Sequence, residues 1–400
     1  MARISSMVAH TAVTLGRAAR ERAGSVTDAL RARREPPAGD LGRGVALMGT
    51  VWPGGDREPF PGVVIIDGDG TIDYLGVSGP HTVPAGLPVL GGAGYWIGPG
   101  IVDAHVHLSF ASVQGCLRAG LVGVRDLGAP ADLARLWRTG HRRPTGQLPV
   151  VATAGQIITA PGGYPSRSWG ENGFAAFAHS PSQARQLVQG LAASGVDLIK
   201  IALEPGERAS PVLGPRVVAA LVATAHDAGL SVTAHALSVE MIRRAIDAGV
   251  DELAHTPTER LPEQLVDQIA AAGIGVVSTL QTFFSAGGGR SAADNAADLY
   301  RAGVRLRYGT DLGNAGTLPG VDPRELDRLA DTGMGRLGAL RAATEYSAQA
   351  PGIRGRTGLL RVGQQAALVL LNGDPLSEPV VWRSPRAVVA DGRLLLNEPV

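Results

Sequence analysis

The sequence predicts an α/β protein, a (β/α)8 (TIM) barrel with a small β-sandwich domain built from both chain ends. Three observations carry the prediction. A strand–helix unit repeats eight times through the middle of the chain. Both flanks instead show short strands broken by tight turns. Imidazole, amine and carboxylate side chains recur where the repeated strands end. Alternating strands and helices imply a parallel sheet, and eight units over roughly 250 residues match a barrel whose site lies at the C-terminal mouths of the strands.

Residues 1–42 are expected to form an N-terminal extension, with two short helices ending near Arg34. Residues 1–40 hold seven arginines and four acids, and no compact apolar run of a signal peptide follows the first arginine. Residues 43–97 and 357–400 are assigned together to the small β domain. GVALMGTVW, PGVVIIDGDGTIDYLG and PVLGGAGYWI read as its strands, with Asp67-Gly68-Asp69-Gly70 as a hairpin turn. TGLLRVGQQAALVLLNGDP and AVVADGRLLL, with its Asp391-Gly392 turn, share that texture. Residues 98–356 are assigned to the barrel. Its strands are read as Ile101–His107, Leu121–Asp126, Val150–Ala154, Leu198–Ala202, Ser231–His235, Glu252–His255, Gly275–Thr279 and Arg305–Thr310. The helices between them are alanine-rich and amphipathic, as in SPSQARQLVQGLAASG, and tend to stop at Gly or Ala-Gly. An open doubly wound sheet is the alternative, but no GxGxxG motif follows an early strand.

Composition narrows the function classes. The chain is 44% hydrophobic and 18% charged, with 55 glycines suited to many short connections. A formal net charge of +1 gives no basic field for nucleic acid. No apolar run reaches the roughly 18 residues of a membrane span. Cys116 is the only cysteine, which excludes an intramolecular disulfide framework and a cysteine-rich zinc site; it reads as an inert, partly buried thiol in the first helix. A cytoplasmic protein with a small-molecule substrate is expected, without nucleic-acid or membrane partners, and with homo-oligomerisation left open.

Lysine occurs once, at Lys200, against 36 arginines. Arginine serves wherever a cation is enough, so a lone lysine points to a place where a deprotonated, nucleophilic amine is needed. Chance under arginine-biased coding is the alternative. Lys200 stands in DLIKIAL, which reads as a buried parallel strand. His105 and His107 end the first barrel strand in DAHVH, and their spacing of two puts both imidazoles on one strand face. His235 closes VTAH, His255 closes ELAH, and Asp311 follows the eighth strand in YGTD. Each alone has a structural explanation, such as a rim histidine or a helix-capping aspartate. Together they converge on one rim with donors suited to zinc or a related divalent ion. Asp103, on the same face but deeper, is read as supporting these groups rather than as a ligand. Gln156 and Arg125 are candidates to reach the pocket, with loop packing or a salt bridge as the default, and Tyr164 is either a donor to a tetrahedral intermediate or a packed loop tyrosine. The remaining histidines (His10, His81, His141, His179 and His226) and the basic cluster Arg138, His141, Arg142 and Arg143 read as solvated.

The chain resembles the amidohydrolase superfamily, in the branch with imidazolonepropionase-like and prolidase-like enzymes. The likeness spans about residues 43–398 and is carried by PGIVDAHVHL, VGVRDLG, TAGQIITAPGG, DLIKIAL, VTAHAL, DELAHTP, VVSTLQT and GTDLGNAG. It implies a metal-dependent hydrolase of amide-type C–N bonds in a small peptide-like or cyclic amide. By the resemblance, His105, His107 and Asp311 would hold one metal and His235 and His255 a second. A CO2-derived carbamate on Lys200 would bridge two divalent ions, zinc first among the candidates. A metal-bridging hydroxide would attack, with Asp311 as general base and then acid. Two alternatives remain. One is a one-metal imidazolonepropionase- or deaminase-like enzyme with unmodified Lys200. The other is a metal- or ligand-binding barrel without turnover. Two loops depart from the family. Tyr164 follows Gly162-Gly163 where many relatives have histidine, and Leu203-Glu204-Pro205-Gly206 replaces a Thr/Ser-Gly-Gly segment. Tyr164 and Gln156 are the candidate substrate contacts.

Overall fold

The computed structural model describes residues 39–79, 81–140, 148–206, 210–350, 353 and 357–397. The expected extension thus falls almost wholly outside the described residues, as do His141, Arg142 and Arg143. Among the described residues no helix is long and apolar enough to cross a membrane.

The N-terminal flank forms β1 (Gly39–Asp40), β2 (Val45–Val51), β3 (Phe60–Ile66), β4 (Ile72–Gly76) and β5 (Val89–Pro99). The middle alternates strands with helices. The strands are β6 (Ile101–Val106), β7 (Leu121–Asp126), β8 (Val150–Thr153), β9 (Ile157–Thr159), β10 (Ala175–Phe177), β11 (Ile199–Ala202), β12 (Val232–His235), β13 (Glu252–Leu253), β14 (Gly275–Val277) and β15 (Leu306–Arg307). The helices used below are α1 (Val113–Arg118), α2 (Pro181–Ser194), α3 (Val239–Ala248), α4 (Leu280–Ser285) and α5 (Pro323–Leu329). The C-terminal flank adds β16 (Leu368–Asn372), β17 (Ala387–Ala390) and β18 (Arg393–Leu396).

The two flanks pair with each other. β5 lies between β2, which it meets in parallel, and β16, which it meets antiparallel. The expected hairpin between β3 and β4 is present: Asp67 Oδ1 accepts from the amides of Asp69 and Thr71, and Gly70 turns at φ +84°. The Asp391-Gly392 turn joins β17 and β18 with positive φ at both residues, the conformation that suits a tight hairpin. The two flanks share one hydrogen-bonded sheet. All eight strands follow one order, β1-β18-β17-β16-β5-β2-β3-β4, in a single continuous sheet. Leu47, Val64, Ile66, Ile97, Leu368 and Val389 form part of its own apolar cluster.

In the middle, β6-β7-β8 form one parallel sheet and β10-β9-β11-β12-β13-β14-β15 another. Backbone hydrogen bonds cross both seams. Ala104 N donates to Tyr308 O (3.0 Å), Asp311 N to His105 O (2.9 Å), and Asp197 N to Thr153 O (2.9 Å). β6 and β7 are buried along their whole length, as expected of parallel strands packed on both faces. The helices are set by local chemistry. α2 begins where Ser180 accepts from Gln183 N and Pro181 fixes the first φ, and it stops at Gly195 in the left-handed region. Cys116 is fully buried in α1, and burial pushes its thiol up to about 12, so it is inert as expected.

Two differences from the sequence reading matter for the site. The third strand is split: Gly155, at φ +64°, breaks it after Thr153, β8 pairs with β7, and β9 takes over the contact with β11. β13, β14 and β15 are shorter than expected, so His255, Thr279 and Asp311 stand on the loops that follow them.

The strand interior holds a buried ion network. Glu252 receives Arg125 on one carboxylate oxygen and Arg307 on the other, and Thr233 Oγ1 also donates to it (3.0 Å). Arg125 Nε donates to Ala104 O (2.8 Å), and Arg307 Nε to Tyr346 O (3.1 Å). Burial alone would raise the Glu252 carboxyl, but the two guanidiniums hold it below its usual range. Arg125 is thus taken up by an internal ion pair. Removing the shared anion leaves two buried cations uncompensated. Glu252→Gln is expected to cost about 3–5 kcal/mol in urea unfolding; a loss under about 1 kcal/mol would show that the network is dispensable.

Candidate metal centre

Strand register sets the depth of each group. Lys200 is level with Thr233, and Thr233 with Glu252, whereas His235 lies level with Ala202, two residues nearer the C-terminal end. Two residues of strand span about 6.6 Å, a rise that only a long side chain covers. Lys200 therefore starts at the level of the Glu252 network and extends towards the histidines. Its Nζ is buried without a hydrogen-bond partner. Burial lowers its pKa to about 7; the Asp311 carboxylate opposes the shift and Arg125 adds to it.

His105 and His107 project from the end of β6 towards Asp311. Both Nε2 atoms lie 3.2 Å from Asp311 Oδ1. One donor atom from each of the three residues falls within 4.8 Å of the others, and all three are buried. His105 Nδ1 lies 2.9 Å from Ala254 O. A carbonyl only accepts, so Nδ1 carries the proton and Nε2 presents a lone pair. Burial, with Lys200, His255 and His107 nearby, keeps this imidazole from taking a second proton. Two acceptors, His105 Nε2 and Asp311 Oδ1, therefore face each other, and Oδ1 has no hydrogen-bond donor. Ligand atoms each about 2.0–2.1 Å from one metal sit about 3.0–3.4 Å apart, so a divalent cation fits this donor set.

The other two imidazoles continue the row. His255 lies 4.6 Å from His105 and 4.8 Å from His235, ring centre to ring centre. His255 Nδ1 meets Thr279 Oγ1 at 2.9 Å. Burial lowers the pKa of His235 to about 3, with Lys200 and His107 adding to the effect. All six residues expected at the rim are thus in one region, although only His105, His107 and Asp311 form a compact donor cluster among the described residues.

Supporting groups differ in how well the sequence announced them. Asp103 accepts from His105 N (3.0 Å), Thr310 N (3.1 Å) and Thr310 Oγ1 (2.6 Å), the supporting role expected of it. Burial raises it to about 7. Asp126, not singled out from sequence, accepts from Leu108 N and Gly128 N and anchors the loop after His107. Thr279 was also missed. It sits at φ +46°, unusual for a β-branched residue. Glu325 of α5 holds that turn by accepting from Leu280 N (3.0 Å) and Gln281 N (2.6 Å). Asp311 too has positive φ, 53°. Backbone strain of this kind concentrates at functional sites, but φ is not legible in a single sequence.

The loop residues divide. Tyr164 stacks on His235 at 4.8 Å, and its hydroxyl accepts from Trp169 Nε1 at 3.2 Å. Gln156 is committed elsewhere, donating to Gly173 O at 2.9 Å. Glu204 turns to the next loop, accepting from Leu237 N, Ser238 N and Ser238 Oγ at the start of α3. His226 is half-exposed and pairs with Asp251 (3.0 Å).

A family model described as "Amidohydrolase family" matches residues 150–395. The chain belongs to the amidohydrolase family. The match begins beyond His105 and His107, so their place in the centre rests on geometry. An uncharacterised protein of Mycobacterium tuberculosis is 27% identical over 362 residues, covering 81% of this chain and 90% of its own. A putative prolidase from Bifidobacterium longum has a similar fold, with TM-score 0.77, 24% identity, and coverage of 89% of this chain and 95% of that one. A Xaa-Pro dipeptidase with bound methionine in the active site gives TM-score 0.76 at 20% identity, covering 88% of this chain and all of that one. The chain is an enzyme, an amidohydrolase, and its family and its His-His-Asp cluster agree on metal-dependent hydrolysis.

The amidohydrolase's buried neutral imidazoles make a prediction for the metal-free protein. His235 has a folded pKa near 3 and an unfolded value near 6.5. Its contribution to stability is present above 6.5 and is lost as pH falls towards 3, because only the unfolded chain takes up the proton. Below pH 6.5 the unfolding free energy should fall more steeply than in His235→Asn, by up to about 1.4 kcal/mol per pH unit. Parallel pH profiles of the two proteins would contradict this.

Proposed function

We propose that this amidohydrolase cleaves an amide-type C–N bond in a small peptide-like or cyclic amide. In this reading the two parallel sheets, joined at their seams, form one closed (β/α)8 barrel carrying the centre at its C-terminal mouth. Residues 43–97 and 357–400 form the small domain beside it. The observation that carries the reading is the acceptor-to-acceptor contact of His105 Nε2 and Asp311 Oδ1 at 3.2 Å, which calls for a cation. His105, His107 and Asp311 would hold one divalent ion. His235 and His255 would hold a second, with zinc the best match to imidazole and carboxylate donors.

Lys200 completes the second position. At a pKa near 7 a large share of its amine is neutral at neutral pH. The nitrogen lone pair adds to the carbon of CO2 and the nitrogen loses a proton, giving an N-carboxylate. An unpartnered cation becomes an anion with two oxygens to offer, which arginine cannot do.

Divalent ions held there would supply Lewis acidity and bring the pKa of water towards neutrality. The protein groups do the rest. Asp311 takes the proton of the attacking water and passes it to the leaving nitrogen. Burial pushes the Tyr164 hydroxyl up to about 12, so it stays protonated. Since that oxygen already accepts from Trp169, its own hydrogen is free to donate to the substrate carbonyl. Ala254 O and Thr279 Oγ1 fix the orientation of His105 and His255.

Elemental analysis should find close to two divalent ions per wild-type chain. Lys200→Arg should lose about one of them and nearly all amide hydrolysis; unchanged metal content in that variant would remove the bridge. A one-metal reading is favoured by the single compact donor cluster among the described residues, and a stoichiometry near one, insensitive to bicarbonate, would establish it. Asp311→Asn should lower kcat by about 10²–10⁴-fold, the range for loss of a positioned acid–base group. A kcat within threefold of wild type would assign proton transfer to another group.

A further inference from the structure

The chain is poor in aromatic residues, with six Phe, five Trp and six Tyr in 400 residues. Five of them, Phe110, Tyr164, Trp169, Phe174 and Phe283, gather over the imidazole row. They come from three separate segments: the loop after β6, the 160–174 loop, and α4. Trp169 meets His107 edge-on at 4.8 Å and 63°. Tyr164 lies nearly flat on His235 at 27°, and Phe283 stands against His255 at 5.8 Å.

The two half-buried rings form a corner. The Trp169 and Tyr164 planes meet at 77°, with ring centres 6.4 Å apart, and the indole N–H donates to the phenol oxygen. Phe174, buried, backs this corner at 6.0 Å from Trp169 and stacks on Phe110 at 5.5 Å and 12°. The exposed parts of the two half-buried rings thus stand at nearly a right angle, the relation between the stacked and edge-to-face arrangements that aromatic pairs prefer.

Charge argues for a neutral occupant. The cation–π contacts among the described residues engage Tyr346 and Phe284, so none places a guanidinium over these five rings. Glu204 is held by Leu237 and Ser238. A carboxylate placed in the corner would lie against the negative faces of the rings. An ammonium would compete with the divalent ions for the same negative groups.

We propose that the substrate of this amidohydrolase presents an uncharged aromatic ring to the corner formed by Trp169 and Tyr164, next to the carbonyl that is attacked. This rests on the hydrolase reading above and names its substrate class: aryl amides or cyclic amides fused to an aromatic ring.

The test is calorimetric binding to the metal-loaded enzyme, with benzamide, cyclohexanecarboxamide, N-acetylproline and tetramethylammonium as probes. Cyclohexane is the more hydrophobic ring, so general apolar burial would favour it. Benzamide is expected to bind about 3–10-fold tighter than cyclohexanecarboxamide and tighter than either charged probe. Trp169→Leu should reduce the ring preference to under about twofold, while Tyr164→Phe, which keeps the ring, should retain it. Equal or tighter binding of cyclohexanecarboxamide, N-acetylproline or tetramethylammonium to the wild type overturns the proposal, whether or not the leucine variant folds. Ring preference without cleavage of any amide would sink the hydrolase reading and leave the aromatic site standing. Cleavage without ring preference would do the reverse.

Discussion

Polar groups drawn into the interior of a strand bundle must find partners there, because water cannot supply them. That constraint divides the interior of this protein into two layers. In the lower layer Glu252 accepts from Arg125, Arg307 and Thr233, so two guanidiniums share one buried carboxylate. In the upper layer the acceptor His105 Nε2 faces the acceptor Asp311 Oδ1, and His107 Nε2 approaches the same oxygen at 3.2 Å. The first layer is complete as folded. The second offers a donor set that a divalent cation would fit. Lys200 belongs to both, rooted at the level of Glu252 with its amine buried and unpartnered above.

The supporting groups give the upper layer its precision. Ala254 O fixes the tautomer of His105, so its lone pair points at Asp311. Asp103 ties the end of β6 to the loop carrying Asp311 through His105 N and Thr310. Thr279 meets His255 from a turn at positive φ, and Glu325 holds that turn by accepting two of its amides. Without such anchoring a β-branched residue in this conformation would relax, and His255 would lose its orientation.

Above the imidazoles the chemistry changes from polar to aromatic. The 160–174 loop, which departs from the family pattern at Tyr164, brings two half-buried rings into contact with His107 and His235. The same departure places the Tyr164 ring flat on His235. Gln156, by contrast, serves the loop itself by holding Gly173.

The sequence by itself determined whatever depends on local period and composition. A spacing of two placed His105 and His107 on one face because side chains alternate along a strand. Lys200 stood out because it has no second copy. The Asp-Gly turns marked their hairpins because few residues accept positive φ, and β-rich texture tied the two ends of the chain together. Only the tertiary structure decided the rest. The hand-over from β8 to β9 at Gly155, the order of the eight-stranded sheet, the Glu252 network, the Glu325 hold on the Thr279 turn and the aromatic corner all join residues far apart in the chain. Each depends on which groups meet after folding, and a one-dimensional pattern carries no distance between them.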